Sequence, residues 1–190
     1  MCQALRDWFG RIPAVSLLVM YTLLGCFLLT YVTSLGAVLV NAPQDTLLGL
    51  QFWRLLSASF VTRGIFSLLI TLFMYMPTAC ESERRMSSVR YLVYLLVNCV
   101  TIQAICAGLI LAGADNLGFM PVVLGMWGVI MLEIVVRCNR DPEAVVSLWC
   151  CPATIKSKYY PWMLLLIFML LGGVQLDLLV GVGLGYACKV

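Results

Sequence analysis

Residues 14–40 read AVSLLVMYTLLGCFLLTYVTSLGAVLV, a run without a single charge. A bilayer core about 30 Å thick needs roughly 20 consecutive apolar residues to be crossed by a helix. This run is long enough to cross with tilt. Arg6 and Arg11 precede it, as basic residues precede the apolar core of a signal peptide. That core is only about 7–15 residues long, so the run reads as a signal-anchor helix.

The rest of the chain has the same character. Of its 190 residues, 63% are hydrophobic and 11% charged, and mean hydropathy is +1.01. A soluble domain carries about 45–50% apolar and about 25% charged residues, so most of this chain avoids water. Its length fits one domain, residues 1–190. The net charge of +3 is small and dispersed, which argues against a nucleic-acid partner. Histidine is absent, which removes the commonest general base and metal ligand. No cofactor or metal site is expected. The nine cysteines lack framework spacing, and Cys26, Cys99 and Cys106 lie within apolar runs as small hydrophobes. Cys150-Cys151, beside a basic stretch, is a candidate for S-acylation.

Beyond the first span, five stretches read as helices. Ile65–Thr78 lies between Arg63 and Glu81 and borrows residues from Ser57 onward. Tyr91–Gly113 and Leu117–Val136 follow; near the end of the latter, Glu133 stands one turn before Arg137, the spacing of a helix-stabilising ion pair. Pro161–Gly172 opens with a proline suited to a first helical turn. Leu178–Ala187 is short, with Asp177 just before it. Gly172-Gly173 and Asp177 place a turn between these last two, so they read as a hairpin. The expected fold is therefore an all-α membrane protein, a bundle of six transmembrane helices.

The positive charges orient it. With six spans, Arg6, Arg11, Arg84, Arg85, Arg90, Arg137, Arg140, Lys156, Lys158 and Lys189 share one side, and only Arg54 and Arg63 lie on the other. Cytosolic loops hold the excess of lysine and arginine, so both termini are expected in the cytosol. Residues Asn41–Gly64 are too polar to span and too apolar for a free loop. They read as an interfacial segment, with Trp53 at headgroup level and Arg54 reaching phosphates or carbonyls.

Phe52-Trp53-Arg54 in the first luminal loop, Glu83 followed by Arg84-Arg85, and the Gly181–Gly185 pair resemble three marks of the rhomboid-like superfamily of six-helix membrane proteins. The likeness covers nearly the whole chain. Leu50–Leu56, Glu83-Arg84-Arg85, Asn116-Leu117-Gly118-Phe119 and Cys151–Lys158 look closest to the endoplasmic-reticulum adaptors of that superfamily that carry a ubiquitin-associated domain. That domain is not among these residues. The resemblance implies an adaptor in endoplasmic-reticulum quality control, with membrane lipids, transmembrane clients and the ubiquitin and degradation machinery as partners.

It also implies what is missing. A rhomboid protease needs a serine nucleophile, activated by a base, and a histidine to be that base. Met120 occupies the serine place in Gly118-Phe119-Met120-Pro121, and Leu178 occupies the histidine place ahead of Gly181. A serine–lysine pair is disfavoured because Lys156, Lys158 and Lys189 all lie at cytosolic ends. The chain reads as a pseudoprotease. The alternative, a small transporter or channel subunit, calls for paired polar residues at mid-bilayer and internal repeats, and neither is visible. Asp115, Glu133 and Asp177 fall near expected helix ends and read as interfacial, and the glycines near the chain's end read as packing the last two helices together.

Overall fold

The computed structural model describes residues 12–32, 39, 46, 51–62, 64–113, 123–147, 154–172 and 175–188. It is mostly helical. Helix α1 spans Ala14–Val32, and a short α2, Trp53–Ser57, lies in the first loop and runs into a 3-10 turn, Ala58–Phe60. Helices α3 (Ile65–Met86) and α4 (Ser88–Leu111) follow, then α5 (Trp127–Arg140), α6 (Tyr160–Gly172) and α7 (Leu176–Ala187). Between α5 and α6, strands β1 (Val145–Ser147) and β2 (Thr154–Lys156) pair antiparallel with Val146 opposite Ile155. This hairpin is an addition to the expected all-α fold. Lys156, at the end of β2, and Lys158, in the 3-10 turn that follows it, pair with Glu143 at 2.7 and 3.4 Å.

Helices α1, α3 and α4 are long and apolar enough to cross a membrane. Helices α5, α6 and α7 have 14, 13 and 12 residues, or about 18–21 Å at the usual rise, well short of a bilayer core. Helix α6 and α7 are separate and antiparallel: Trp162 near the start of one stacks on Tyr186 near the end of the other, centroids 5.8 Å apart.

Helix α5 is the hub. Every side chain from Gly128 to Val136 is buried, because α3, α4, α6 and α7 surround it. The outer helices show the opposite pattern. Leu18 and Tyr21 of α1, Phe66, Leu69 and Phe73 of α3, Val93 and Val97 of α4, and Leu166 and Leu170 of α6 are exposed. Apolar side chains exposed on four outer helices suit a surface that meets lipid.

Helix α3 differs from its expected bounds at both ends. Gly64, in an extended conformation, starts it, so nothing is borrowed from the 3-10 turn. At the other end it runs eight residues past Thr78, through Glu81–Met86, and Glu83 lies inside it. Charged residues continue a helix readily, the Glu81–Arg85 pair at i, i+4 supports the last turn, and Arg84 and Arg85 complement its dipole. Pro77 removes one backbone donor from the ladder, and the Thr78 hydroxyl donates to the Met74 carbonyl at 3.3 Å beside it. The turn into α4 is a single residue, Ser87, at φ +70° and ψ 149°. An L residue adopts that conformation only at a cost.

Candidate functional site

Among the contacts that join the helices, three arrangements centre on residues singled out above. The first centres on Glu83. Its carboxylate accepts from the backbone N–H groups of Val15 (2.9 Å) and Ser16 (2.7 Å), from the Ser16 hydroxyl (2.8 Å), and from the Ser88 hydroxyl (2.6 Å). The first N–H groups of a helix have no partner within it, and its start carries partial positive charge. Glu83 therefore caps α1 from another helix and ties α1, α3 and α4 together. That gives the acidic position a structural purpose.

The second is the glycine seam. A Cβ at Gly181 would enter the space of the Gly128 carbonyl oxygen, and one at Gly128 would lie 2.7 Å from Asp177 O. One at Gly185 would meet Val135 Cβ at 2.7 Å. Gly183, on the other face, has open space. The pair thus packs α7 on α5, not on α6 as expected, because the glycines at i and i+4 share the face turned to Gly128. Leu178, the position without histidine, is buried on α7. Met120, Asp115, Asn116–Phe119, Cys150-Cys151 and most of the interfacial loop before Gln51 lie outside the described residues.

The third is polar and internal. The Tyr75 and Tyr91 hydroxyls are 3.1 Å apart, and Tyr91 donates to Glu133 Oε1 at 2.9 Å. This chain links α3, α4 and α5 within the bundle. Glu133 is 3% exposed and Asp177 5%, so neither is the interfacial group expected from sequence. Nor does Glu133 pair with Arg137. Arg137 turns outward to Glu81 Oε2 at 3.1 Å, while Glu81 Oε1 accepts from Arg85 at 2.6 Å. The reason is that α5 is short and surrounded, so a residue counted near a helix end sits at its centre. Beside Glu133 a cavity of about 10 Å³, room for about one water, opens toward Arg85, Arg137 and Arg140.

The Trp53–Arg54 pair divides. Trp53 is exposed, consistent with anchoring at an interface, whereas Arg54 is buried and its Nε donates to Gln51 Oε1 at 2.6 Å. Arg54 therefore braces the loop internally and does not reach outward for phosphates. The same segment is joined to the start of α5 by a 2.8 Å bond from Gly125 N–H to the Ala58 carbonyl.

A second cavity, about 160 Å³, lies between α3, α5, the β-hairpin and the start of α6. Phe73, Pro77, Ile134, Val146 and Tyr160 make most of its wall, and Arg137 also lines it. Nothing in the sequence marked it, since its wall comes from four separate elements. Among the described residues, no three histidine, cysteine, aspartate or glutamate side chains gather as a metal-binding group.

Comparison with protein families matches residues 6–190 to the model of the Der1-like family. No curated protein matches the chain.

Proposed function

Because the chain belongs to the Der1-like family, rhomboid-like proteins of the endoplasmic-reticulum membrane involved in ER-associated degradation, we propose that it is a catalytically inactive adaptor that receives transmembrane clients for that pathway. Members of the family are generally inactive. In this reading α1 and α3–α7, the short ones included, span the membrane, both termini face the cytosol, and the partners are client segments and degradation machinery.

The cavity between α3 and α6 carries the proposal. Small-molecule sites usually enclose about 300–1,000 Å³. At about 160 Å³ this one has room for one or two side chains of a larger partner, and its apolar wall suits a helix arriving from the lipid. Phe73 and Pro77, at its edge, are exposed to that side. The short helices α5, α6 and α7 support the same reading. A helix shorter than the bilayer core is accommodated by thinning, snorkelling or association, and a thinned patch lowers the cost of holding a polar residue in a client. Catalysis has no place in the scheme: Met120 and Leu178 stand at the two dyad positions, and no histidine exists elsewhere. The rival transporter reading gains the buried Tyr75–Tyr91–Glu133 chain, but among the described residues no repeat is related to it.

The test is client turnover. Depleting the protein should lengthen the half-life of misfolded membrane proteins, and the purified protein should take no label from serine-directed fluorophosphonates. Unchanged turnover, or labelling lost on changing one serine, would refute the proposal.

A further inference from the structure

We infer that Arg137 is a specificity residue, selecting client segments that carry an aspartate or glutamate in their cytosolic half. This rests on the client-binding reading above.

Arg137 lies in the last turn of α5 and lines both cavities, the small polar one beside Glu133 and the larger apolar one. In the larger, among the described residues, it is the cationic group in a wall of Phe73, Pro77, Ile134 and Val146. Its present partner is poorly placed to keep it. Glu81 is shared between two arginines, and its contact with Arg85 is the shorter, 2.6 against 3.1 Å. The Arg137 side chain is also 57% exposed, so this ion pair is solvent-screened and contributes little. If Arg137 swings away, Glu81 keeps Arg85. The exchange is therefore inexpensive.

A helix lodged in the apolar cavity changes the balance. It would cover the Arg137 head and strip its water, in surroundings where charge pairs interact far more strongly than in solvent. A carboxylate on the arriving helix restores the lost partner, and arginine can hold it with two parallel hydrogen bonds. An amide restores part of it. A lysine opposes it directly, and like charges brought together at an interface are strongly disfavoured.

The experiment uses the full chain in nanodiscs of zwitterionic lipid and one transmembrane reporter in three forms, with Asp, Asn or Lys at a single position in its cytosolic half. Wild type should recover the Asp form about tenfold better than the Asn form. Arg137→Gln should abolish that ratio without lowering thermal stability, since Glu81 retains Arg85. Arg137→Glu should reverse it, favouring the Lys form. An Asp-to-Asn ratio unchanged by Arg137→Glu would overturn the inference. A ratio seen in zwitterionic discs but lost with anionic lipid would assign Arg137 to anionic lipid headgroups, and overturn it too. Failure of wild type to recover any of the three forms would remove the client-binding reading and the inference with it.

Discussion

Glu83 Oε2 accepts a 2.7 Å hydrogen bond from the backbone N–H of Ser16, 67 residues away in sequence. The contact places the start of α1, the end of α3 and the start of α4 at one point, on the side where the basic residues gather. A carboxylate that satisfies two otherwise unpartnered helix N–H groups does the work of a capping side chain from a different element.

Glu83→Ala should therefore lower stability by about 3 kcal/mol, since hydrogen bonds to a charged group contribute about 1.5–3 kcal/mol each and the freed donors are buried. Glu83→Gln, which keeps one acceptor oxygen, should fall between. Thermal unfolding in detergent measures both. Equal melting temperatures for the alanine variant and wild type would show the cap to be dispensable.

Gly181→Ala and Gly183→Ala separate seam from propensity. The first forces a methyl against Gly128 and should cost about 1–3 kcal/mol through overpacking, with α7 displaced from α5. The second points into open space and should be neutral or slightly stabilising, because alanine is the better helix former. If both behave alike, the seam is not closely packed.

Ser87→Gly should stabilise. Serine at φ +70° pays a conformational cost that glycine does not, and relief of about 1 kcal/mol is expected. Melting the pair side by side decides it, and a lower melting temperature for the variant would contradict the strained turn.

Arg54→Ala should destabilise the purified protein by about 2 kcal/mol or more, because it removes a buried guanidinium and strands Gln51. Trp53→Ala should leave stability in detergent nearly unchanged and instead weaken seating in a bilayer, read by fluorescence quenching from the membrane surface. The reverse ranking would mean that the two residues have exchanged roles.

These cases show which features local sequence can reveal. The apolar runs of α1 and α4 announce themselves, since a lipid-crossing helix needs a long uncharged stretch and little else. The marks Trp53-Arg54, Glu83 and Gly181–Gly185 were visible as a pattern, but not their partners. Glu83 finds its donors at Val15 and Ser16, and Gly181 finds Gly128, through folding alone. Glu133 was misplaced because a local rule paired it with Arg137 one turn on. The bundle buries the carboxyl against Tyr91 and brings Glu81 to the arginine instead. Charged helix ends misled in the same way: Glu81–Arg85 looked like a loop and is the last turn of α3.

In the proposed function a transmembrane client lodges, uncut, between α3 and α6. A photo-crosslinking residue at Phe73, on the edge of that cavity, and another at Tyr21, on the exposed face of α1, test it within the membrane. The prediction is a crosslink from Phe73 to the transmembrane segment of a full-length client, and little or none from Tyr21. Equal crosslinking from both positions, or a client recovered as a shortened fragment, would contradict it.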